Sequence, residues 1–92
     1  MLSQIPFNLE KMKKEDLDKE IARIGMIAEL DAVNLYEQLA AMCENKKLKK
    51  VLLDIAREEK THVGEFQTLL LEMDKEQVKE LEKGKKEVEE IS

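Results

Sequence analysis

The chain has 92 residues, 40% charged and 42% hydrophobic but only 3% aromatic, with one proline, three glycines and a formal net charge of -5. That length holds one small domain with little capacity to bury a core alone, and the Ala/Glu/Lys/Leu-rich balance belongs to long helices, so the expected fold class is all-α. The acidic balance argues against nucleic acid as a partner, since phosphate backbones need concentrated Lys and Arg, and makes small cations the more natural one. No apolar stretch approaches the roughly 20 residues of a membrane span, and a single cysteine, Cys43, excludes an intramolecular disulfide and fits a reducing, cytoplasmic compartment.

In chain order, residues 1–13 hold Pro6, Asn8 and scattered apolar residues, and read as an extended N-terminal arm that docks on a partner. Residues 14–43 contain no proline and one glycine, with apolar positions at helical spacing, which predicts helix one. Glu44-Asn45 breaks the rhythm, with Asn45 a turn residue or cap, and the spacing predicts helix two over 46–73. Asp74 followed by Gln77 has the form of a capping box opening a charged helix over 75–91, with Gly84 its weak point. No linker divides the chain, so 1–92 reads as one domain: an antiparallel two-helix hairpin followed by a short C-terminal helix.

The stretch REEKTHV, residues 57–63, holds the only histidine. Glu fills about one position in six, so a Glu three residues before a His is weak evidence by itself. Helical phase adds to it. On helix two, Leu48, Leu52, Ile55, Glu59, His62, Phe66, Leu69 or Leu70, and Met73 step by four and three, the rhythm of a core-facing stripe. Glu59 and His62 thus stand where apolar residues are expected, whereas Asp54, Glu58 and Glu65 fall off the line and read as solvated. A carboxylate on a buried stripe is costly unless its charge is compensated. Helix one carries a matching stripe, Ala22, Met26, Glu29, Val33, Tyr36, Ala40 and Cys43, with Glu29 its only charged member. Folding the hairpin about Glu44-Asn45 sets Glu29 level with a point between Glu59 and His62. Any one of the three is more often an ion-paired or solvated residue than a ligand; their shared face and height make a metal site the better reading.

Carboxylate-bridged di-iron sites in helical bundles take a Glu from each of two helices and a Glu-x-x-His from each of two others. This chain holds half of that set, and a two-fold axis through the site supplies the rest. A second apolar line on helix one, Leu17, Ile21, Ile24, Ala28, Leu35, Leu39 and Met42, broken by Asp31, offers a face for the second copy, because two helices cannot enclose a core. The expectation is a four-helix bundle completed by homodimerisation. Carboxylates with imidazole and no thiolate suit iron or manganese better than structural zinc, and four carboxylates around two metals nearly neutralise the diferrous state and favour the diferric one.

The segments AELDAVNLYEQLA and AREEKTHVGEF, with their separation, resemble the encapsulated ferritins, half-length members of the ferritin-like superfamily, and more distantly the rubrerythrins. The likeness covers residues 15–92. It implies a di-iron centre at a dimer interface, five dimers closing into a decameric ring, and oxidation of Fe(II) to Fe(III) with dioxygen for iron storage in a prokaryotic encapsulin nanocompartment. It gives Glu29 the role of terminal ligand, Glu59 that of bridging carboxylate, His62 that of terminal nitrogen ligand, and places Tyr36 beside the centre as a hydrogen-bonding or redox-active group, with an ordinary core tyrosine the equal alternative. Asp31 is assigned to an acidic approach path for iron. Freestanding members carry a short apolar targeting peptide, which the sequence to Ile91-Ser92 lacks, so the resemblance reads it as a trimmed or shell-fused form.

Other classes compete with the ferroxidase. A rubrerythrin-like peroxidase would normally bring a module with paired cysteines, which one cysteine cannot form. A metal-clamped assembly without turnover and a plain helical interaction module complete the alternatives. Cys43 reads as a small buried hydrophobe; Lys46, Lys47, Lys49 and Lys50, like Lys83, Lys85 and Lys86, read as solvated helix faces, and the methionines as packing.

Overall fold

A computed structural model describes residues 9–11 and 13–92; the expected arm at 1–13 therefore lies largely outside the described residues. The fold is all-α, as expected. After a tight 3-10 turn at Lys14–Asp16 come helix α1, Leu17–Met42, helix α2, Lys46–Met73, and helix α3, Lys75–Glu89. α1 starts three residues later than its apolar pattern indicates, because Lys14–Asp16 coil more tightly than an α-helix. α3 passes through Gly84 without interruption and ends at Glu89, leaving Ile91 exposed.

The breaks are local chemistry. Cys43 and Asn45 are extended (φ -81°, ψ 133° and φ -72°, ψ 120°), which turns the chain back on itself. The Asn45 side chain then accepts a hydrogen bond from the Leu48 N–H at 2.9 Å, satisfying one orphan donor at the start of α2. Between α2 and α3 a single extended residue, Asp74, does both jobs. Its own N–H donates to the Leu70 carbonyl at 2.9 Å, closing α2, and its side chain accepts from the Gln77 N–H at 3.0 Å, opening α3. Arg23 of α1 donates to the same carboxylate at 2.7 Å, tying the hairpin to the start of α3.

α1 and α2 pack along their stripes. The best-covered apolar residues are Ala22, Val33 and Ala40 on α1 and Ala56 and Leu70 on α2. Four of these five are small or β-branched, so the helices approach closely. Leu70 rather than Leu69 faces in, 4% against 52% exposed. A 3.6-residue helix drifts against a strict 3.5-residue rhythm, which moves the stripe by one residue toward the end of a long helix. Cys43 is half-buried, not buried: it caps the end of α1, where its Sγ donates to the Asn45 carbonyl at 3.3 Å.

What the fold leaves uncovered matters more than what it buries. Among the described residues no large side chain is fully buried. The exposed area is 7575 Å², against about 5,500 Å² for a compact monomer of this size. The radius of gyration is 16.4 Å, against about 12 Å for a compact domain of this length. An apolar groove of about 330 Å³ lined by Met26, Ile27, Leu30, Leu70, Leu71 and Leu81 runs where the three helices meet. Ile21, Leu39 and Met42 of the second line on α1 are exposed too. No described helix is long and apolar enough to cross a membrane.

Candidate metal centre

Glu29 lies near the middle of α1, Glu59 and His62 near the middle of α2. Glu59 and His62 are one helical turn apart and share a face, as the i, i+3 spacing requires. The antiparallel hairpin brings Glu29 to the same height. His62 Nδ1 stands 3.3 Å from an oxygen of Glu29 and 3.3 Å from an oxygen of Glu59. One ligand atom from each of the three residues falls within 4.8 Å of the others, and this is the only group of three or more such donors found among the described residues.

Coverage is uneven across the three. The Glu29 and Glu59 side chains are 21% and 18% exposed, His62 44%. Two partly desolvated carboxylates therefore face each other with one imidazole between them and no lysine or arginine bridging them among the described contacts. Like charges held this close repel, and a cation placed between them relieves that repulsion. The donor set, two carboxylate oxygens and an imidazole nitrogen without thiolate, fits iron, manganese or zinc, with the oxygen majority favouring the first two. Asp54, Glu58 and Glu65 are exposed on other faces of α2, so helical phase does select Glu59 over Glu58.

Tyr36 is half-buried on α1, two turns beyond Glu29, and among the described residues no hydrogen bond joins it to the three. Asp31 is 6% exposed and makes an interaction of its own, so it is not on an open approach within the single chain. Sequence reasoning missed two contacts of α1, one at the end of the hairpin and one beside the cluster. One is the Arg23–Asp74 pair, formed by residues 51 positions apart with no periodic signature. The other is the contact of Gly25 with Phe66, where an added Cβ would fall 2.7 Å from the ring; the lone glycine in an otherwise helical run was its signal.

A helical hairpin that gathers two carboxylates and an imidazole on its inner faces is the arrangement the comparisons with known proteins have to account for. The pattern of the EncFtn-like family matches residues 5–88, and the chain belongs to that family. It is 54% identical over 95 aligned positions to a ferritin-like–encapsulin shell fusion protein of Pyrococcus furiosus, an alignment that covers all of this chain and 27% of that one. It is 36% identical over 67 positions to the encapsulin nanocompartment cargo protein EncC of Myxococcus xanthus, covering 73% of this chain and 51% of the relative. The chain thus spans about a quarter of one curated relative and about half of the other. The crystal structure of the encapsulated ferritin domain from Pyrococcus furiosus superposes with a TM-score of 0.85 at 51% identity, covering 100% of this chain and 96% of that one.

Proposed function

We propose that the chain is a ferroxidase subunit whose working unit is a homodimer, with Glu29, Glu59 and His62 of both copies holding a di-iron centre. The observation that carries this reading is the convergence of two carboxylates and an imidazole within 4.8 Å on the inner faces of a hairpin. One copy supplies half of the four-carboxylate, two-imidazole set of helical di-iron sites. The exposed Ile21, Ile27, Leu30, Leu39 and Met42 of α1 support a second copy, because a standard interface removes about 800 Å² from each partner.

In this reading Fe(II) is the substrate and dioxygen the acceptor, one electron leaving each of two Fe(II) to give Fe(III). The protein's part is electrostatic and positional. Carboxylates from both copies would hold two cations close together and stabilise the higher positive charge of the product. Tyr36 serves as a neighbouring polar or redox-active group. The names of both matched relatives tie them to encapsulin, one as a fusion with the shell and one as cargo. By that likeness this chain works inside an encapsulin compartment.

The test loads metal-free protein anaerobically with two Fe(II) per dimer, admits air, and follows ferric absorbance together with native mass. Oxidation well above the buffer rate, lost in Glu59→Ala with helix content retained, is the expected result. No acceleration over buffer would sink the ferroxidase. Equal assembly with Zn(II) and Fe(II) but no turnover would instead favour a metal-clamped structural dimer.

A further inference from the structure

α1 and α2 touch through a glycine and an aromatic ring immediately beside the three candidate ligands. Gly25 lies one turn before Glu29 on α1, and Phe66 lies one turn after His62 on α2. Because the helices are antiparallel, the Gly25–Phe66 contact is the next layer along from the Glu29–His62 contact. The fit leaves no slack. A Cβ at Gly25 would stand 2.7 Å from Phe66 Cδ1 and Cε1 and 2.8 Å from Cζ, closer than real side chains approach. Gly25 is mid-helix, where glycine is less favourable than alanine, and it has no positive φ to justify it. Contrast Gly64 and Gly84, where an added Cβ would meet nothing within 4 Å.

Side-chain direction explains why this layer bears on the metal site. Long side chains on a helix lean toward its N-terminus. The Phe66 ring therefore leans toward the His62 layer from α2, and Glu29 leans toward the Gly25 layer from α1. The ring occupies the space an α1 side chain would fill, so its thickness sets how far apart the two backbones stand at this level.

We infer that Gly25 and Phe66 form a spacer that sets the distance across which Glu29 faces Glu59 and His62, and so tunes metal affinity without touching metal. Gly25 and Phe66 are positioning residues, and the inference rests on the metal-site reading above. Displacing a ligand-bearing element by a fraction of an ångström weakens ligation, just as loss of groups that orient ligands costs about 10–100-fold in metal affinity.

Co(II) is a suitable probe, because its visible absorption reports ligand geometry without redox turnover. Full-length wild type, Gly25→Ala, Phe66→Leu and the double variant would be titrated with Co(II), with metal-free thermal melts in parallel. Ala40→Gly, three turns from Glu29, is the control for stability loss alone, since Ala40 is buried in the hairpin. The spacer predicts Co(II) affinity at least tenfold weaker for Gly25→Ala, with an altered visible spectrum, and three- to tenfold weaker for Phe66→Leu. In the double variant the added methyl fills part of the space the ring vacates, so its affinity returns to within threefold of wild type. Ala40→Gly lowers the melt but leaves affinity and spectrum unchanged. Wild-type affinity in Gly25→Ala, or in Phe66→Leu should Gly25→Ala fail to fold, overturns the spacer while leaving the metal reading intact. A wild type that binds no Co(II), indistinguishable from Glu59→Gln, overturns the metal reading and the spacer together.

Discussion

Two acidic corners of this small protein are built to opposite plans. At the α2–α3 junction the Asp74 carboxylate accepts from the Gln77 N–H and from Arg23, and its own N–H closes α2. Both carboxylate oxygens of Asp74 and its N–H have partners within the chain. At the middle of the hairpin, Glu29 and Glu59 share one imidazole, each 3.3 Å from its Nδ1. The first corner is a finished piece of architecture; the second has more negative charge than its neighbours answer. An acid that the chain itself satisfies holds the fold together, whereas acids gathered without a counter-charge await something from outside.

The sharpest way to break that contrast is to remove charge from each corner. Glu29→Gln should weaken Co(II) or Fe(II) binding by at least about tenfold, measured by calorimetric titration, while the metal-free melt holds or rises because two like charges are no longer apposed. Asp74→Asn should do the reverse. Metal affinity stays, but the melting temperature falls by about 2–5 °C as the charged tie to Arg23 is lost, the amide still capping α3. If both substitutions destabilise the metal-free protein alike, the contrast is wrong.

Acid sharpens it further. The hydrogen bond from the Gln77 N–H is the largest influence on the Asp74 carboxyl; burial, the next, opposes it, and the hydrogen bond from Arg23 with the charges of Lys19 and Arg23 leaves the carboxyl below its usual range. A carboxyl whose folded pKa is depressed stabilises the protein above its unfolded value, near 4, and that stability is lost as pH falls through the folded value. Metal-free melts should therefore drop from about pH 4 downward, and the drop should be shallower in Asp74→Asn. The smallest effect belongs to Asp54, which pairs with Arg57 on the exposed face of α2. The guanidinium beside it lowers its carboxyl, yet an exposed pair one turn apart adds little to stability. Asp54→Ala should leave the melt unchanged within error and metal binding untouched.

The hairpin and the candidate site were legible in the sequence for the same reason. Apolar spacing sets which residues of a helix share a face, and a short break between two such helices sets which residues stand level, so Glu29, Glu59 and His62 converge by register alone. The caps at Asn45 and Asp74 were legible as local chemistry. Other features depend on distances between helices, which periodicity does not encode. Between Leu69 and Leu70, which the spacing left open, the structure turns Leu70 inward. Asp31 breaks an apolar line that looks open in a helical projection, but it is buried in the folded chain. The bond from Arg23 to Asp74 joins two helices at a point no periodic pattern marks.

The surface left over by this hairpin ties its endurance to company. A fold in which, among the described residues, no large side chain is fully buried gains stability from whatever covers them, and by mass action that gain rises with the concentration of the covering molecule. Its melting temperature is then a property of the solution as much as of the molecule. Serial dilution of the metal-free chain should lower it steadily, and crowding many copies into a small closed volume should raise it without any change in sequence.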